Sequence, residues 1–138
     1  MSDADEHSDS SCDRLAEYRQ FIASRAVATE RHGFDPRPIN ASAKAHQSAV
    51  LDFAMTKGRI AAFLDTGLGK SFIELEFARQ CAEETGKPSL ILTPLAVAGQ
   101  MVREGQKFGI DARQIREQSD VGAGIVVANY ERLAKLDP

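Results

Sequence analysis

Apolar and polar positions along this chain follow two periods, one of three to four residues and one of continuous short runs. From about Asp13 to Glu30 the period is helical: Leu15, Tyr18 and Ile22 share a face, Phe21 lies beside them, and charges fill the remainder. His32-Gly33 stops that helix, and Asp35-Pro36-Arg37-Pro38 reads as an extended linker. A second helix is predicted from about Ser42 to Thr56, with Val50, Leu51 and Phe53 as its apolar surface and Lys57-Gly58 as its end. The apolar run Ile60-Ala61-Ala62-Phe63-Leu64 then predicts a buried strand over Arg59–Leu64.

Beyond that run the pattern alternates. Ile73, Phe77 and Cys81 recur at intervals of four and predict a helix from Ser71 to about Glu84, closed by the turn Gly86-Lys87-Pro88. Leu90-Ile91-Leu92 is the next strand and ends at Thr93-Pro94; a helix follows from about Ala96 to Phe108. A short strand is expected near Ala112–Ile115, a further strand at Ile125-Val126-Val127-Ala128, and a short last helix over Tyr130–Leu136. Strands separated by helices imply right-handed crossovers and a parallel sheet with helices on both faces, an α/β fold of three αβα layers. Ligands of such sheets bind beyond the carboxyl ends of the strands.

The first candidate chemistry lies at such an end. Phe63-Leu64-Asp65-Thr66-Gly67-Leu68-Gly69-Lys70-Ser71 joins the predicted strand to the predicted helix through a glycine turn. Gly67 and Gly69 let backbone N–H groups face an anion with no side chain in the way, and the helix N-terminus adds positive potential. Lys70 can reach the β- and γ-phosphates of a nucleotide, and the Ser71 hydroxyl is placed to hold Mg²⁺. The strict pattern G-x-x-x-x-G-K-[ST] departs at one position, where this chain has Leu64. The competing structural reading is a plain strand-to-helix turn carrying an exposed lysine.

Composition narrows the classes only modestly. The chain has 138 residues, enough for one domain with a real core, and its 43% hydrophobic share is that of an ordinary globular protein. No apolar stretch approaches the roughly 18 residues of a membrane span, and the acidic start does not resemble a secretory signal. Cys12 and Cys81 lack metal-site spacing, Cys81 reads as a core thiol, and the cytoplasm is the expected location. The net charge of −3 is set by the N-terminus, because Asp3, Asp5, Glu6 and Asp9 account for four of 20 acids. Against the remaining 16 stand 17 basic residues, so charge points neither toward nor away from nucleic acid. Residues 1–12, rich in Ser and Asp, are expected to be disordered.

Three further constellations lie around the loop. Gln47, on the helix before it, carries an amide whose donor and acceptor match the N6/N7 edge of adenine; a solvated surface residue is the structural alternative. At Leu90-Ile91-Leu92-Thr93-Pro94-Leu95, the Thr93 hydroxyl and the amides of the following helix can grip a nucleic-acid phosphate, or Thr93 can simply cap that helix with Pro94 in its first turn. Ile125-Val126-Val127-Ala128-Asn129-Tyr130-Glu131 ends a strand in polar residues at the same sheet edge, where Asn129 also suits a cap and Tyr130 a packing role.

In this order and spacing the motifs resemble the first RecA-like domain of superfamily 2 helicases, the Swi/Snf-type branch or its DEAD/DEAH-box-like relatives, in phage or prophage form. The resemblance covers about residues 32–138. His46-Gln47 falls where the family has its adenine-reading Q motif, Gly67–Ser71 matches motif I, Thr93-Pro94-Leu95 with Gln100 matches motif Ia, and Asn129-Tyr130-Glu131 matches the next strand-end motif. It implies a P-loop NTPase that hydrolyses ATP with Mg²⁺ and moves along nucleic acid, most often duplex DNA. Gln47 would then read adenine; Asp65, Thr66, Gly67, Leu68 and Gly69 would wrap the phosphates. Lys70 would stabilise charge on the γ-phosphoryl group as the catalytic residue, Ser71 would hold the metal, and Thr93, Pro94 and Asn129 would face nucleic acid. The family's Asp-Glu pair at the end of an apolar strand has no counterpart, since the only such dipeptide is Asp5-Glu6. The expectation is therefore an N-terminal piece of such a motor, without its second RecA-like domain and weak in hydrolysis by itself. Two rivals remain: another P-loop protein such as a kinase or switch, and a non-catalytic interaction module with a docking helix over residues 13–31.

Overall fold

A computed structural model of the protein describes residues 17–21 and 30–136. The chain divides into two units, Met1–Glu30 and Arg31–Pro138. In the first, residues 17–21 are helical and exposed; the expected acidic tail and most of the expected helix over 13–31 fall outside the described residues, as does Cys12.

The second unit is α/β. Helix α1, Ala45–Lys57, starts where the Gln47 side chain accepts the Lys44 amide at 2.9 Å and ends at Gly58, whose N–H reaches the Ala54 carbonyl. Helix α2 spans Lys70–Thr85, strand β1 Ser89–Thr93, helix α3 Leu95–Lys107, strand β2 Ala112–Gln114 and strand β3 Ile125–Asn129. Single 3₁₀ segments occupy Gln118–Asp120 and Tyr130–Lys135. The last replaces the helix expected over Tyr130–Leu136.

The sheet is parallel, in the order β1-β3-β2, with Ser89 level with Ile125 and Thr93 level with Asn129. Alternation along the strands sends Ile91, Ile125 and Val127 to one face, where they meet Leu75 and Ala78 of α2 and Ala98 and Met101 of α3. Burial of side chains as large as Leu75 stabilises the fold by about 1.5–3 kcal/mol each. Val126, Ala128 and Ile115 point to the opposite face, where Leu92, Val121 and Leu136 pack on them. The expectation of helices on both faces is corrected here: among the described residues, only loop and 3₁₀ segments cover that second face. A separate cluster joins α1 to α2 through Leu51, Met55, Phe72 and Ile73.

The largest departure concerns Arg59–Leu64, which is extended but is not a strand. Apolar content makes a strand only when a neighbour takes its N–H and C=O groups. Residues 59–64 make no backbone–backbone hydrogen bond among the described residues. Leu64 alone turns inward onto the α1–α2 cluster, whereas Phe63 is 95% exposed. Cys81 also differs from expectation: it is half-buried, with Phe77 beside it on the rim of a groove along β1. Ile73 is buried as expected, and the deep face of α2 is completed by Phe72, Leu75, Glu76, Ala78 and Gln80.

Candidate functional site

The loop between the extended segment and α2 has a definite shape. Asp65 Oδ1 accepts the Thr66 amide at 2.8 Å and the Thr66 hydroxyl at 3.3 Å, an Asx-type turn that starts the bend. Gly67 and Gly69 then hold φ values of +82° and +76°, in the left-handed region that glycine enters without strain. Helix α2 opens at Lys70 with no side-chain cap and no acid in its first turn. The amides of Gly67, Leu68, Gly69, Lys70 and Ser71 donate to no acceptor among the described residues. Unpaired N–H groups at a helix start carry partial positive charge, and the loop that holds them is open to solvent. The loop thus leaves these donors available to a ligand, and a Cβ built at Gly67 would meet nothing within 4 Å.

Lys70 folds back over the loop. Its ammonium donates to the carbonyls of Leu64 and Asp65, each at 3.1 Å. The cation thus sits at the loop mouth, tethered by two neutral acceptors that a phosphate oxygen can replace with a stronger charge-assisted bond. Glu74, one turn further along α2, has its carboxyl pushed up by burial, an effect the Lys70 ammonium opposes. Ser71 is half-buried at the same helix start. Among the described residues no cluster of His, Cys, Asp or Glu could hold a metal by itself. A magnesium ion at this loop would take the Ser71 hydroxyl, with phosphate oxygens and water completing its shell, as suits that ion.

Gln47 and His46 reach the loop from α1. Both side chains point their Nε2 atoms at the Leu68 carbonyl, at 3.2 Å each. Gln47 is buried, and its other amide atom is the acceptor for Lys44 N–H. His46 was visible in sequence only as the neighbour of Gln47; its contact with Leu68 spans 22 residues and left no local signal.

The strand-end residues are brought together by the sheet. Thr93 and Asn129 are register partners at the carboxyl edge. Both side chains are nevertheless buried and locally engaged, Thr93 Oγ1 with the Pro94 carbonyl at 3.1 Å and Asn129 Nδ2 with Glu131 Oε2 at 3.0 Å. Pro94, not Thr93, is the cap residue of α3, and no side chain caps that helix. Exposed at this edge are Pro94, Leu95 and Tyr130. Arg132 lies nearby and donates to the Arg116 carbonyl at 2.8 Å. Leu95 entered the sequence reading only as part of the Thr93-Pro94-Leu95 motif, and the contact of Arg132 with Arg116 left no local signal because it spans 16 residues.

The chain matches no family model, no curated protein and no solved structure.

Proposed function

We propose that this chain binds the triphosphate of a nucleotide, ATP with Mg²⁺ by its resemblance, as the nucleotide-binding portion of a nucleic-acid-dependent ATPase of the helicase or translocase class. One observation supports the reading: the amides of Gly67–Ser71 have no backbone acceptor among the described residues, and the Lys70 ammonium folds back onto the same loop. Amides, ammonium and hydroxyl are the donors that a polyphosphate requires, and they occur within five consecutive residues of one exposed loop. Capture of the phosphates is what these groups support. A P-loop NTPase fold, hydrolysis and movement along duplex DNA come from the resemblance. Nucleic acid would meet the carboxyl edge at Thr93, Pro94 and Asn129, through the α3 amides more than through the buried Thr93 and Asn129 side chains.

Calorimetric titration of Mg·ATP into the wild-type chain and Lys70→Ala tests the proposal. Loss of a charge-assisted bond to phosphate should weaken binding about tenfold to a hundredfold. Equal affinity of the two proteins, or no heat with either, removes the phosphate assignment. A fluorescent DNA duplex titrated in parallel tests the partner separately.

A further inference from the structure

The Gln47 amide is engaged at both ends. Its Oε1 accepts the Lys44 amide at 2.9 Å, and its Nε2 donates to the Leu68 carbonyl at 3.2 Å. The side chain is only 6% exposed. One Nε2 hydrogen and one Oε1 lone pair remain, but they belong to a side chain that is buried and already oriented by the helix start and the loop, so turning both toward an adenine edge would strain or break those two bonds. The fit on the loop side is close: a Cβ at Gly69 would collide with the Gln47 Nε2, so the loop backbone lies directly against this amide.

His46 completes the contact. A carbonyl oxygen has two lone pairs and only accepts, so Leu68 can take both donors, and the His46 proton in this contact is on Nε2. The pair of bonds orients the Leu68 carbonyl toward α1. Fixing that carbonyl fixes the peptide plane it shares with the Gly69 amide, which therefore points the opposite way, away from α1. A loop whose peptide planes are already fixed loses less freedom when it binds a ligand.

We infer that Gln47 is a positioning residue that holds the phosphate loop in its binding shape, and that the site selects for a polyphosphate rather than for the adenine base through Gln47. The inference rests on the phosphate-binding reading of the loop and adds the class of ligand feature that this side chain serves.

Two substitutions separate the roles. Gln47→Glu keeps an acceptor for the Lys44 amide, and so keeps the helix cap, while it removes the donor to Leu68. Gln47→Met removes both bonds without adding charge. Calorimetry would measure binding of Mg·ATP, Mg·GTP and Mg·tripolyphosphate to each protein, with thermal unfolding recorded beside it. The expected result is a loss of about threefold to tenfold in Gln47→Met for all three ligands in parallel, with the ATP to GTP ratio unchanged. Gln47→Glu should lose affinity in parallel too, and by more than Gln47→Met, with a lowered unfolding temperature because its buried carboxylate faces the Leu68 carbonyl. A fall in ATP affinity with tripolyphosphate binding intact would overturn the inference and return Gln47 to base reading. Unchanged binding of every ligand in both variants would overturn it as well. If the wild-type chain bound none of the three, the phosphate reading itself would fail, and this inference with it.

Discussion

Gly67 and Gly69 share a left-handed backbone but not an environment, and the difference is measurable. Each forces an L side chain to adopt a conformation that costs roughly 1–2 kcal/mol. Space around Gly67 is open, whereas a Cβ on Gly69 meets the Gln47 amide. Gly67→Ala should therefore lose about 1 kcal/mol in urea unfolding, and Gly69→Ala about 2 kcal/mol or more, because the loop or Gln47 must shift. Equal losses would show that the Gln47 contact does not constrain the loop. At this scale much of the candidate site was legible. Glycines before Lys70-Ser71 announce a left-handed turn, and the φ values of +82° and +76° agree. The direction of the Gln47 amide was not legible, since its partner Leu68 lies 21 residues away.

Helix α2 shows how a polar element is stabilised from a distance. Glu76 is fully buried. Burial alone would raise its pKa, but hydrogen bonds from Arg79, Gln80 and the Asn40 amide together outweigh that and hold the carboxyl below its ordinary value. Arg79 contributes two bonds, at 2.6 and 2.9 Å, and Asn40 N one at 3.2 Å. A carboxyl whose pKa is depressed by folding stabilises the native state above its unfolded value and ceases to do so as pH falls through the folded one. Glu76→Ala should accordingly cost about 1–3 kcal/mol at pH 7, by leaving the Asn40 amide without its acceptor and taking two of its bonds from Arg79, which keeps Glu83. Measured at a pH below the carboxylate range, the gap between the two proteins should narrow. A gap independent of pH would mean that packing, and not charge, sets the cost. The ends of α2 and α3 were readable to within a residue from apolar spacing and the glycine stop at Gly86. The buried Glu76 was not, because its partner Asn40 is 36 positions away and a charged residue on a helix reads as solvated. Arg59–Leu64 failed for the complementary reason: an apolar run states that it wants burial, but not which strand will pair with it.

Across the molecule, that unpaired run is the feature that most affects behaviour in solution. Extended backbone that makes no backbone–backbone hydrogen bond among the described residues, with the exposed side chains of Ile60 and Phe63, is a template for another chain. We predict concentration-dependent association of the wild-type chain by sedimentation, and a dimer constant about tenfold to a hundredfold weaker for Phe63→Lys, the value of one aromatic side chain left in water. Sedimentation that is indistinguishable between the two would place the association elsewhere or deny it.

The stretch from Arg37 to Gln47 grips α2 at both extremities. Arg37 exchanges backbone bonds with Gln80 at 2.9 and 3.3 Å and pairs with Glu84 at 2.8 Å, while Gln47 holds the loop that launches the helix. A rod clamped at its two tips cannot unravel from either one to absorb a pull. Fraying of either terminal turn must first break one of these ties, so the helix holds its full length as one unit.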